Sequence, residues 1–251
     1  MRGAVPKRTL APPAHRCLLQ LHTADDRSVS NASNVPYYAA LMARNRAFCQ
    51  RPQCAVWQAV SDDAVPPYWR KVLMVRDALR SGLPDGTLCT TILWMDRDAV
   101  ITGAGPDLTL RGHDMRISHD GVRRMCLHDR SPSDRWRCLH FNAGAFLVRS
   151  SSTGLAILDA WAAFWETYAS RHWRRSLQGK WYCVAPCVED ARCAAATAPC
   201  HWAGQSYEQG AFYRSVLPNF TKVRDWVGVD LNCRILTRVP CFIRRCSSTQ
   251  R

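Results

Sequence analysis

"TILWMDRDAVIT", Thr91 to Thr102, runs an apolar segment into two aspartates separated by one arginine and then turns apolar again. Carboxylates are costly to bury without a partner, so the pair marks either a strand end that faces a ligand or an ordinary solvated loop. In extended backbone, residues two apart point the same way: Asp96 and Asp98 then share one face and Arg97 takes the other. Two convergent hard oxygen ligands suit Mn2+ or Mg2+ bridging to phosphates, with the ion offsetting their mutual repulsion. An Asp-x-Asp alone is common by chance. The apolar "TILW" before it favours delivery by a strand to the edge of a sheet.

Segments on both sides alternate in period. "CLLQLHTADD" (Cys17–Asp26) and "CAVWQAV" (Cys54–Val60) read as buried strands. Between them, "SNVPYYAALMARNRAFC" reads as a helix, with Ser33 or Asn34 as cap, Pro36 in the first turn, and Tyr38, Leu41, Met42 and Asn45 at helical spacing. "PPYWRKVLMVRDALRSGLPDGT" predicts a helix with Trp69, Val72, Leu73, Arg76 and Leu79 on one side, stopped by Gly82 and Pro84. "LHFNAGAFLVRSS" reads as a strand after a small-residue turn, and "STGLAILDAWAAFWETYASRHW" as a helix with Leu155, Leu158, Trp161, Trp165 and Tyr168 as its stripe. "YEQGAFYRSVLPNF" adds a helix and "RDWVGVDLNC" a late strand. Strands alternating with helices predict an α/β sheet, whose strand ends are where ligands usually sit. The expected organisation is a flexible lead-in over 1–15 and a single domain over 16–245, with a cysteine-rich insertion near 181–202.

The 251 residues suffice for a full core, and 47% hydrophobic with 22% charged is ordinary for a folded chain. The net charge of +14 would suit nucleic acid, but 30 of the 34 basic residues are arginines scattered along the chain, and no nucleic-acid motif accompanies them. No apolar run approaches a membrane span, and the basic N-terminus has no continuous apolar core of a signal peptide. The expectation is a soluble, cytoplasmic protein with reduced thiols as the default. Thirteen cysteines is an odd number. The group Cys183, Cys187, Cys193, Cys200 and His201 does not match a paired zinc-knuckle spacing, leaving zinc, disulfides and free thiols all open. Asn31-Ala32-Ser33 and Asn219-Phe220-Thr221 are glycosylation sequons that matter only on the secretory path.

"LWMDRDAVI" resembles the W-(L/M)-D-x-D-A segment of the GT-A-fold glycosyltransferases, most of all the family of yeast-type α-galactosyltransferases and plant xyloglucan xylosyltransferases. Four further segments resemble that family in order: "NVPYYAALMARNRAF", "PYWRKVLMVRDAL", "FNAGAFLVRSSSTGLAILDAW" and "YEQGAFYRSVLP". The resemblance runs from about Asn34 to Asn232. It implies a mixed sheet flanked by helices and transfer of a sugar from a nucleotide-diphosphate donor, a UDP-sugar in the first instance, to a glycan or other hydroxyl acceptor with retention. It also implies Mn2+ (or Mg2+) on the diphosphate. Asp98 would ligate the metal, and Asp96 would contact metal, ribose or both. Lys71 would reach the nucleotide, against the plain alternative of an exposed helix lysine. Asn142, Ala143 and Gly144 would line the sugar pocket, Glu208 and Gln209 would act catalytically beneath the anomeric carbon, and Asp120 is a weaker donor-side candidate.

One departure from the family pattern matters. The histidine that usually closes the metal site in a C-terminal H-x-x-G segment has no counterpart in "RILTRVPCFIRRCSSTQR", and "HWAG" (His201–Gly204) precedes the Glu-Gln helix. A catalytically impaired nucleotide-sugar- or glycan-binding relative is therefore the alternative. Taking Asp96 and Asp98 as the nucleophile and acid/base of a haloacid-dehalogenase-type phosphatase fits less well. That motif opens its domain, whereas two strand–helix units precede it here.

Overall fold

The strand segments pair in the order that their apolar content allows. A computed structural model of the chain describes residues 16–22, 34–49, 54–60, 64–97, 99–101, 110, 112–122, 139–184, 205–212, 216 and 227–229. β1 (Arg16–His22) is flanked in parallel by β2 (Cys54–Val60) and β3 (Thr91–Met95). β5 (Leu139–Arg149) runs antiparallel to β3 and to β4 (Met115–Val122), which pairs in parallel with β8 (Val227–Val229). The sheet order is β2-β1-β3-β5-β4-β8. This is the expected mixed α/β architecture. β4 had no counterpart in the sequence reading, and neither had the hairpin of β6 (Trp173–Arg175) and β7 (Trp181–Cys183).

β3 is apolar from Ile92 to Met95 because both its faces are covered. Ile92 and Trp94 join the cluster formed with α2 (Pro67–Ser81) and α3 (Ser152–Thr167), while Leu93 and Met95 join the opposite one with Leu18, Leu147 and Cys49. On that opposite side, the buried Asn45 of α1 (Asn34–Phe48) braces the segment beyond Asp98. Its Nδ2 donates to Ala99 O at 2.8 Å, and its Oδ1 accepts from Ile101 N at 2.7 Å.

α2 opens at Pro67, where a missing N–H costs nothing, and closes at Gly82 with φ 83°. A Cβ at Gly82 would lie 2.8 Å from Thr87 O. Two positions on α2 correct the expected face. Arg76 is not in the core but pairs with Asp77 and with Glu166 of α3, whereas Lys71 is buried beside Trp69 and Val72. α3 is capped by Ser151, whose Oγ accepts from Gly154 N and whose hydroxyl lies 2.6 Å from Asp114. Its deepest residues are Ile157, Leu158, Trp161 and Ala162, with Leu155, Trp165 and Tyr168 packed at the margin.

The reduced-thiol expectation does not hold for the described cysteines that pair. Cys17 of β1 is bonded to Cys89 just before β3, and Cys49 at the end of α1 to Cys54 at the start of β2. Cys183 is also disulfide-bonded. The first link closes a separation of 72 residues, which chain entropy values at about 4 kcal/mol. Disulfides persist in oxidising surroundings. Among the described residues no helix is long and apolar enough to cross a membrane. The lead-in over 1–15, both sequons, most of the cysteine cluster and His201 lie outside the described residues.

Candidate active site

The parallel strands β1, β2 and β3 end at one edge of the sheet, and the short connection from β2 brings the first turn of α2 to that edge. Asp96 is the first residue past β3. Its N–H donates to Gly144 O at 2.7 Å, extending the β3–β5 ladder by one residue and fixing where its side chain starts. Trp94 shares its face, as the two-residue period requires, and Trp94 Nε1 donates to Asp96 Oδ1 at 2.9 Å.

Lys71 reaches the same carboxylate from the second turn of α2. Its Nζ lies 2.9 Å from Asp96 Oδ1 and 3.1 Å from Oδ2, 3.2 Å from Glu208 Oε1 and 3.3 Å from Ala143 O. The three ammonium donors thus face two carboxylates and a carbonyl. With its side chain 5% exposed, this is no surface helix lysine. Burial works against the charged form, but Asp96 and Glu208 outweigh it and raise the Lys71 pKa.

β5 supplies the third wall through an irregularity. Between Ile117↔Phe146 and Ser118↔Asn142 the β4–β5 register shifts, leaving Ala143, Gly144 and Ala145 of β5 without residues opposite them on β4. The small-residue turn expected ahead of this strand is thus a bulge inside it, of the kind often found beside active sites. Ser118 Oγ spans the bulge, 2.9 Å from Asn142 O and 3.0 Å from Ala145 O. The kink also breaks alternation: Ala143 packs with the α2–α3 cluster, while Ala145 and Leu147 pack on the other face. Asn142 Oδ1 accepts from Gly144 N at 2.7 Å. A Cβ on Gly144 would stand 2.7 Å from that oxygen and 3.1 Å from Asp96 Oδ2. Glycine here lets the Asn142 and Asp96 side chains close over the strand.

α4 (Glu208–Ala211) brings the last pair. Gln209 Oε1 accepts from Ala143 N at 3.1 Å, so both backbone groups of Ala143 are held by side chains of the site. Glu208 is buried, its Oε1 on Lys71, while Oε2 has no hydrogen-bond partner among the described residues. Burial, with Asp96 adding to it, pushes the Glu208 pKa up against the pull of Lys71.

Three indoles anchor this segment, a role that reading Trp69 and Trp161 as apolar-stripe residues did not give them. Trp69 and Trp173 both donate to Ser206 O, at 2.9 and 2.8 Å, and Trp161 donates to Glu208 O at 2.8 Å. Buried indole N–H groups need acceptors. The ten tryptophans were the available signal, although sequence alone says nothing of their partners.

Because the folded-state pKa of Glu208 is raised, this side chain holds more proton in the native than in the unfolded chain just above the ordinary value of 4.5. Its contribution to stability must then fall as pH rises through that window. In urea titrations across that range, Glu208→Gln is expected to make the slope of stability against pH more positive than in the wild type. An equal slope in both proteins would show that Glu208 ionises freely.

Of the sequence-predicted residues, Lys71, Asp96, Asn142, Ala143, Gly144, Glu208 and Gln209 meet at this edge. Asp98 lies outside the described residues, and Asp120 is placed on β4 by its backbone alone. Among the described residues no group of three His, Cys, Asp or Glu is arranged to hold a metal ion. Asp96 fits a divalent cation as one ligand. Its side chain is 33% exposed, and Trp94 and Lys71 leave part of its lone-pair capacity unused.

No family model matches the chain, and no curated protein matches it. Among solved structures it is similar to a glycosyltransferase involved in the glycosylation of the major capsid of PBCV-1. The identity is 14%, over 86% of this chain and 81% of that one, with a TM-score of 0.48. It is also similar to the apo-form glycosyltransferase GlyE of Streptococcus pneumoniae TIGR4, at 15% identity over 62% of this chain and 40% of that one, with a TM-score of 0.30. Likeness at this level assigns no activity.

Proposed function

We propose that the chain is a GT-A-type glycosyltransferase that moves a sugar from a nucleotide-diphosphate donor, a UDP-sugar, to a hydroxyl acceptor on a glycan, with retention. The observation that carries this reading is the convergence of four distant segments. Lys71, Asp96, Asn142–Gly144 and Glu208–Gln209 come together at the carboxyl edge of the sheet through direct hydrogen bonds. Asp98, with the remaining lone pairs of Asp96, would hold Mn2+ or Mg2+. When bound, such an ion supplies charge stabilisation to a leaving diphosphate. Asp96 would also meet the ribose, and Asn142 and the Gly144 backbone the sugar hydroxyls. Gln209, fixed by Ala143 N–H, would present its amide beneath the reacting carbon. Lys71, held by Asp96, Glu208 and Ala143, would orient the acids beside the nucleotide.

A second reading, a nucleotide-sugar binder without turnover, is favoured by the same ammonium. Both Asp96 oxygens already lie beside Lys71, which lessens their pull on a cation. One experiment serves both. UDP with Mn2+ at a hundred times Kd should stabilise the protein by about 2.7 kcal/mol, seen as a rise in Tm that Asp98→Ala abolishes. Release of UDP from a UDP-sugar, lost in Gln209→Ala, would mark the enzyme, and a Tm shift without release would mark the binder. An unchanged Tm across a panel of nucleotide sugars, with and without manganese, defeats both readings.

A further inference from the structure

We propose that Tyr68 and Tyr207 form an aromatic shelf that stacks the acceptor saccharide at the rim of the Lys71–Asp96–Glu208 site. This deepens the glycosyl-transfer reading and rests on it.

Tyr68 stands in the first turn of α2, three residues before Lys71, so the two share a helix face one turn apart. Tyr207 directly precedes Glu208. Their rings meet edge to face with centroids 5.1 Å apart, and both rest on Trp173, at 5.7 Å from Tyr68 and 4.9 Å from Tyr207. Trp173 is buried and tied through its N–H to Ser206 O, so the shelf has a rigid back. Tyr68 nevertheless keeps 46% of its surface exposed.

The chemistry points to a sugar. A tyrosine ring offers a flat face of negative potential to the C–H side of a pyranose, and a hydroxyl at its tip. It orders only two torsions in doing so. A second observation lies beside the shelf: Glu208 Oε2 is buried without a hydrogen-bond partner among the described residues, an acceptor that a polyhydroxyl ligand can satisfy. A nucleobase is the less suitable occupant. In the proposed reading the nucleotide belongs with Asp96, while the shelf includes Tyr207, the residue next to Glu208.

The test uses the full chain with methyl β-galactoside, methyl α-mannoside, methyl β-glucoside and maltotetraose as probes. Saturation-transfer NMR and calorimetry read their binding, and UDP with Mn2+ is titrated alongside. At least one saccharide should bind, and Tyr68→Ala should weaken it about fivefold or more, while Tyr68→Phe, which keeps the ring, stays within about twofold. Tyr207→Leu should weaken the same probe, with thermal unfolding checking that each variant is folded. The shelf is overturned if no saccharide binds the wild type, if Tyr68→Ala leaves saccharide affinity unchanged, or if Tyr68→Ala weakens UDP and not the saccharide. Failure of the underlying reading looks different. Tyr68-dependent saccharide binding without any UDP binding keeps the saccharide site and removes its role in transfer.

Discussion

Lys71→Ala is expected to lower stability by about 3–5 kcal/mol, the range for removing one partner of a buried ion pair. The ammonium stands within 3.2 Å of both the Asp96 and Glu208 carboxylates, and Glu208 has no route to solvent comparable to that of Asp96. Deleting the ammonium therefore strands a buried negative charge. Urea denaturation at neutral pH measures the loss. The cause can be read from two further results. Adding Glu208→Gln to Lys71→Ala should restore a substantial part of the stability, because the uncompensated charge is then gone. At acid pH, where Glu208 takes up a proton, the penalty of Lys71→Ala should shrink. A loss below about 1 kcal/mol, the usual worth of an exposed pair, would mean that the ammonium is not engaged inside the protein.

Trp161→Ala should cost about 3–5 kcal/mol, the range for truncating a buried aromatic. The indole is fully buried, with its ring centroid 4.6 Å from that of Phe212 and 5.5 Å from that of Phe146. Its N–H also holds Glu208 O. Trp161→Phe keeps an aromatic ring in the core but removes the indole donor from that carbonyl, which keeps the Phe212 N–H, at a cost of about 0.5–1.5 kcal/mol. The difference between the two variants separates packing from anchoring. If anchoring matters to function, Trp161→Phe should lose UDP release out of proportion to its stability loss, because Glu208 and Gln209 follow the Ser206–Glu208 backbone. Equal stability of the phenylalanine variant and the wild type would show that the indole hydrogen bond contributes nothing.

Much of the architecture is readable along the chain. The strand at Cys54–Val60, the helix ending at Gly82 and the apolar run into Asp96 match their observed limits because each depends on nearby residues: period, turn chemistry and a helix stop. β4 escapes that logic. "MRISHDGV" mixes polar and apolar positions, and it becomes a strand through its pairing with β5 and β8. The β6–β7 hairpin has three-residue strands, too short to carry a period.

The site divides in the same way. Spacing after a strand pointed to Asp96 and Asp98 as a pair, whereas Lys71, Asn142–Gly144 and Glu208–Gln209 came from the family resemblance, whose motifs are themselves local patterns. What each side chain does was not legible. Lys71 could as well have been solvated; Asp96 just past β3 and Ala143 of β5, 25 and 72 residues away, surround it together with Glu208 of α4. The indole anchors on Ser206 and Glu208 and the Cys17–Cys89 link likewise join residues far apart in the chain. Periodicity and composition depend on neighbours within a few positions and so are written in the order of amino acids. Charge pairing, burial and hydrogen-bond partners depend on distances in space, which exist only once the sheet has closed.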